Sequence, residues 1–140
     1  MELAITDRLS GFDFCVVGGG MAGLCAALAA AREGARTILV HDRPVLGGCG
    51  STEMRIPYSG AGSHNPAANE TGLILELITQ ERAESPTHAA DGIVNAGWDL
   101  LLYDKVRREP NLTVLLNTRV YDVQRQGDRL TAVLASQPDA

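Results

Sequence analysis

FDFCVVGGGMAGLCAALAAAREGARTILV, residues 12–40, places a strand, a glycine turn, a helix and a second strand in one continuous stretch. Phe12 to Val17 reads as a short, apolar, buried strand of the kind parallel sheets use. From Met21 to Glu33 the run MAGLCAALAAARE is rich in alanine and leucine, both strong helix formers, and Gly34 follows as a C-cap. Arg36 to Val40 reads as the next buried strand. Strand, helix and strand within about 30 residues make one βαβ unit, whose crossover is right-handed and joins parallel strands.

The turn inside that unit, Gly18-Gly19-Gly20-Met21-Ala22-Gly23, satisfies G-x-G-x-x-G. Alone the pattern is weak. Following a strand and opening a helix, it reads as a dinucleotide-binding turn. Gly18 permits the tight turn, Gly20 lets a pyrophosphate approach the backbone, and Gly23 lets the helix lie close to the strand. The first helical turn, Met21, Ala22 and Gly23, offers free N–H groups and a partial positive charge to the phosphates. The alternative is a tight strand-to-helix connection that holds no ligand. Such a site also wants an acid about 20 residues on, at the end of the second strand, for the ribose hydroxyls. That place falls on His41, with Asp42 and Arg43 beside it. An imidazole offers one hydrogen bond there, and Asp42 substitutes for it if the strand end bends.

Outward from this unit, residues 43–69 hold five glycines, three prolines and many Ser and Asn, a long stretch without periodicity and therefore a functional-loop candidate. Thr71 to Ala83 has the spacing of an amphipathic helix, residues 84–95 read as a loop, and Trp98 to Glu109 as a helix stopped by Pro110. Leu112 to Leu116 is a strand. Arg119 to Gln126 and Arg129 to Ala135 read as a hairpin around Gly127-Asp128. Residues 1–11 are polar and unpatterned, a loose arm before a domain spanning 12–140. The fold class predicted is α/β: a Rossmann-like FAD/NAD(P)-binding domain with a β-hairpin near its C-terminal end.

With 17 acidic against 12 basic residues and a net charge of -5, the chain carries no cationic surface for nucleic acid or anionic membrane. Three cysteines, Cys15, Cys25 and Cys49, without CxxC spacing argue against a disulfide framework or a zinc site, so no metal is expected. Phe14 to Ala31 is uncharged, but its glycines make poor membrane helix and the preceding residues lack a basic region, so a cytoplasmic protein is expected.

NAD and FAD share the first βαβ unit, so the glycine turn does not choose between them. The next segment, Arg43-Pro44-Val45-Leu46-Gly47-Gly48, brings another glycine pair just past the ribose position, which suits the longer FAD. HDRPVLGGCGSTEMR, then NETGLILEL, then WDLLLYDKVRREPNLTVLLNTRV, resemble in their order the FAD-dependent oxidoreductase family of the glutathione-reductase-like Rossmann superfamily, over residues 13 to about 135. The resemblance implies noncovalently bound FAD and flavin redox chemistry. It also implies that Gly18, Gly20 and Gly23 form the pyrophosphate turn, that His41-Asp42-Arg43 form the ribose end, and that Gly47 and Gly48 form a second FAD-contacting loop. Ser51 to Arg55 then lead toward the flavin, and Val120 lies where backbone groups hold adenine. The usual acid at position 41 is missing. Such enzymes run several hundred residues and complete the FAD site with later segments, so a fragment or truncated product is expected.

Arg55, beside Glu53, is a candidate to stabilise charge on the reduced flavin or to bind an anionic substrate; its bland reading is a salt-bridged loop residue. His64 is an acid/base candidate by residue type. Cys49 lacks the nearby second cysteine that redox catalysis needs and reads as a small loop residue. Cys15 and Cys25 read as packing residues, and Trp98, Leu100 to Leu102 and Tyr103 as core. The expected function is hydride transfer between a small-molecule substrate and flavin. An NAD-dependent dehydrogenase and a nucleotide-binding module without catalysis are the alternatives.

Overall fold

The structure, a computed structural model, describes residues 7–58, 60, 65, 67–68, 71–84 and 97–138. In chain order the elements are β1 (Phe14–Val17), α1 (Met21–Arg32), β2 (Thr37–Val40), a 3₁₀ turn (Gly48–Gly50), α2 (Gly72–Glu84), α3 (Trp98–Arg107), β3 (Leu112–Leu115), β4 (Arg119–Gln126) and β5 (Arg129–Ser136). β1, β2 and β3 form a parallel sheet in that order, and β4 and β5 pair antiparallel in a separate hairpin. The α/β reading with a C-terminal hairpin is what the chain adopts.

Val16, Leu39 and Val114 stand side by side in the parallel register and share one core with α1, α2 and α3. α1 contributes Leu24, Ala27, Leu28 and Ala31, the i, i+3, i+4, i+7 stripe that one buried helix face requires. α2 contributes Leu77, and α3 contributes Trp98, Leu101, Leu102 and Val106. The helical period sends Leu100 and Tyr103 outward, 70% and 42% exposed, which corrects their expected place in the core. Cys25 is half-buried as a packing residue should be, whereas Cys15 lies exposed on β1, against expectation.

Element ends have local causes. α1 closes in a Schellman motif: Gly34 takes a φ of 92°, its N–H reaches Ala31 O, and the Ala35 N–H reaches Ala30 O. β1 begins two residues later than predicted because Asp13 turns to Arg36, accepting from its backbone N–H at 3.0 Å and from its guanidinium at 2.9 Å. α3 stops at Arg107 rather than Glu109, since a residue preceding proline is pushed out of the helical region. Residues 7–11 are exposed and carry no regular element.

Charged groups tie the helices to one another. Glu76 on α2 accepts from Arg32 of α1 through both carboxylate oxygens, at 2.8 and 2.9 Å, and from Lys105 of α3 at 2.7 Å. Arg32, and then Lys105, hold its carboxyl down to about 2. Tyr58 packs on Trp98 with ring centroids 5.4 Å apart and accepts the indole N–H at 2.9 Å.

Candidate dinucleotide site

The parallel strands end together at Val17, Val40 and Leu115, and open α/β sheets bind ligands beyond those carboxyl ends. Gly18 continues β1 by donating to Val40 O at 2.8 Å, then turns with a φ of 103°. α1 begins at Met21 with no side chain capping it, and its first internal bond runs from Leu24 N–H to Gly20 O. The amides of Met21, Ala22 and Gly23 therefore face the space ahead of the helix. Two glycines there do opposite things. A Cβ at Gly23 would lie 1.9 Å from Gly18 O, so glycine is required by the protein's own packing. A Cβ at Gly20 would meet no protein atom within 4 Å, so it would fill only the open cradle before the helix.

The second glycine pair lies against the first. Gly47 donates to Gly19 O at 2.8 Å, in an isolated parallel bridge between Gly20 and Gly47. A Cβ on Gly48 would come within 3.1 Å of Gly20 Cα. Residues nearly 30 positions apart in sequence thus form one two-stranded rim at the mouth of α1, as a ligand spanning both loops requires. The open cradle, the uncapped helix and the glycine rim together fit a dinucleotide pyrophosphate.

His41 and Asp42 part company at the end of β2. The His41 side chain turns inward and is 7% exposed. Its Nδ1 accepts the Gly19 N–H at 2.9 Å, and its Nε2 lies 3.0 Å from Val45 O. Both ring nitrogens are thus engaged inside the protein. The Asp42 side chain is 60% exposed, with a carboxylate oxygen 3.5 Å from His41 Nδ1. Arg43 reaches Glu53 at 3.7 Å, while its carbonyl accepts from Asn117 N–H. Thr118 N–H donates to His41 O, so the chain leading into β4 is fixed at the same strand end, with Val120 half-buried two residues further on.

Past the rim, Ser51 is fully buried and its Oγ accepts from Glu53 N–H at 3.3 Å. Arg55 holds a left-handed φ of 54°, uncommon for a side-chain-bearing residue, and its N–H bonds Ser51 O at 2.8 Å. No carboxylate among the described residues pairs with its guanidinium. Cys49 is exposed and free. His64 lies outside the described residues.

Sequence reasoning missed the support of this loop by α3. Asp99 accepts from both Thr52 N–H, at 3.0 Å, and Thr52 Oγ1. Next to it, Trp98 holds Tyr58, whose hydroxyl would lie 2.0 Å from a Cβ at Gly50. Burial pushes that hydroxyl up to about 12, so it remains a neutral hydrogen-bonding group. An acid in the first turn of a helix is the one signal that marked Asp99, and it also serves the helix dipole.

A shallow depression lined by Ser10, Arg36, Asn111 and Thr113 lies at the opposite, amino ends of the strands, away from the glycine rim. Among the described residues no cluster of His, Cys, Asp or Glu is arranged to hold a metal, and no helix is long and apolar enough to cross a membrane.

A parallel βαβ unit with a glycine turn at an uncapped helix defines a dinucleotide-binding domain. More particularly, the chain belongs to the FAD-dependent oxidoreductase family, whose profile matches residues 13–139, and FAD is its cofactor. Solved structures share the fold. THI4 of Thermovibrio ammonificans superposes with a TM-score of 0.58 at 20% identity, over 90% of this chain and 48% of that one. The myxobacterial chondrochloren halogenase CndH gives 0.57 at 19%, over 90% and 33%. A geranylgeranyl bacteriochlorophyll reductase-like protein of Thermoplasma acidophilum gives 0.56 at 16%, over 91% and 35%. The chain thus spans between a third and a half of each of these proteins.

Proposed function

We propose that residues 12–140 are the FAD-binding portion of a cytoplasmic oxidoreductase that passes hydride between a small organic substrate and flavin, with residues 1–11 as an arm. The observation that carries this reading is the rim formed by Gly18–Gly20 with Gly47–Gly48 before an uncapped helix. Gly18, Gly20 and the amides of Met21, Ala22 and Gly23 hold the pyrophosphate. Asp42, exposed at the end of β2, takes the ribose hydroxyls, since both nitrogens of His41 are engaged internally. Arg43 flanks it, Gly47, Gly48 and Ser51 shape the loop running toward the isoalloxazine, and the backbone of Val120 meets the adenine. Arg55 supplies a cation along that loop, where it stabilises negative charge near the flavin or on a substrate. When bound, the flavin supplies the redox chemistry, and the protein supplies position and electrostatics.

Gly20→Ala tests this directly. The new methyl meets no protein atom, so the thermal midpoint is expected to stay within a few degrees of wild type, while FAD affinity falls by roughly tenfold or more through a clash with the phosphates. Affinity is read by quenching of flavin fluorescence, and the bound cofactor is identified by chromatography after release. Unchanged FAD binding in the variant, or a wild-type protein that takes up NAD in place of FAD, would overturn the assignment.

A further inference from the structure

We infer that His41 is a positioning residue that latches the two glycine loops together, and that its neutral imidazole sets the shape of the FAD site. The inference rests on the FAD reading above. An amide N–H only donates and a carbonyl only accepts. The contacts to Gly19 N–H and Val45 O therefore fix one tautomer, with Nδ1 bare and Nε2 carrying the proton. Through that tautomer one ring grips both loops, Gly19 on the first and Val45, two residues before Gly47, on the second. The Gly19 peptide is secured on both sides, since its carbonyl accepts from Gly47 N–H at 2.8 Å. His41 is itself anchored in the sheet: its N–H donates to Leu115 O and its carbonyl accepts from Thr118 N–H, each at 2.8 Å. The ring fills the space a Cβ on Gly19 would need, 2.8 Å from its Cγ, with Leu46 closing the other side.

Without the imidazole acceptor the Gly19 N–H loses the bond that joins it to the end of β2, so the rim loosens at Gly19 and FAD binding weakens.

The 140-residue chain is titrated with FAD, with far-UV circular dichroism confirming that it stays folded. His41→Ala is expected to lose about three- to tenfold in affinity. His41→Asn, whose amide oxygen can accept from Gly19 N–H, regains most of that affinity. Nitrogen NMR of the apo chain gives a reading independent of FAD: a bare Nδ1 and a protonated Nε2, with the Gly19 amide displaced by His41→Ala and restored by His41→Asn. An Nδ1-protonated tautomer, a Gly19 amide indifferent to the ring, or His41→Asn binding FAD no better than His41→Ala would overturn the latch. Absence of FAD binding alongside the expected NMR coupling would instead count against the FAD reading and leave the latch standing.

Discussion

β2 and the β4–β5 hairpin are both β-structure, yet they differ in composition and surroundings: β2 is Thr-Ile-Leu-Val, whereas β4 sets Val120, Tyr121 and Val123 among Arg, Asp and Gln. Every residue of β2 is buried, between β1 and β3 and beneath the helical core. Along β4 and β5 most residues are exposed, with Tyr121 at 47%, Val123 at 45% and Leu130 at 65%. β2 is stabilised by burial of apolar surface, whereas the described hairpin is held mainly by its own ladder, and a two-stranded ribbon is marginal without further packing. β1 stands between the two cases. Val16 reaches the core, while Phe14 and Val17 on the sheet's outer edge are 46% and 55% exposed. Position in the sheet and strand composition together set where the stability lies.

The largest expected effect falls at the centre of the first region. Leu102 on α3 is fully buried and lies 2.9 Å from where a Cβ on Gly47 would stand, so it supports both the core and the glycine rim. Leu102→Ala is expected to destabilise the fold by about 2–5 kcal/mol, measured by urea unfolding, through lost burial and a residual cavity. Loss of less than about 1 kcal/mol would mean that the core collapses around the gap, and the contrast with the hairpin would shrink accordingly.

The same contrast explains what was legible in the sequence. The βαβ unit could be read because one signal repeats at every level: an apolar strand, glycines, an alanine-rich helix ended by Gly34, and another apolar strand. Gly23 had one purpose in that reading, and the structure gives it that purpose against Gly18 O. His41 shows where such reading stops. Its position at the strand end was evident, but whether its ring faces a ligand or the protein depends on Gly19 and Val45, neither of which has a titratable side chain to advertise the contact. Asp99 was hidden for a related reason, since its partner Thr52 lies 47 residues away and no periodicity links them. The run of apolar letters around Leu100 and Tyr103 points inward, but the helical period of α3 turns both to solvent.

A smaller effect lies at the helix junction. Glu76, with its carboxyl held down to about 2 from an ordinary 4.5, binds Arg32 and Lys105. A group whose folded value is depressed contributes stability above its unfolded value and loses it as pH falls through the folded one. The contribution is therefore complete above about pH 4.5 and disappears toward pH 2. With its side chain 38% exposed, solvent screening limits it to about 1 kcal/mol or less. Glu76→Gln is expected to lower stability by that amount at pH 7 and to flatten the acid limb of the stability curve between pH 4.5 and 2. An acid limb identical to wild type would show that the three-helix junction is held by its apolar contacts alone, which would widen the difference between core and hairpin.

The smallest effect is expected in the hairpin, where it decides the comparison most directly. Leu130, the second residue of β5, pairs with Arg125 and is the most exposed of the hairpin's large apolar residues at 65%. Leu130→Thr keeps a strand-forming side chain while removing apolar surface that already faces water, so a change within about 0.5 kcal/mol is expected. Amide exchange in β4 and β5 should likewise be orders of magnitude faster than in β2, because opening the ribbon exposes little that was buried. A loss above about 1.5 kcal/mol, or hairpin amides protected as well as those of Leu39 and Val40, would mean that apolar surface around Leu130 is covered in solution. The exposure of the hairpin would then mark a contact made beyond these strands, and its stability would belong to whatever covers it rather than to its own ladder.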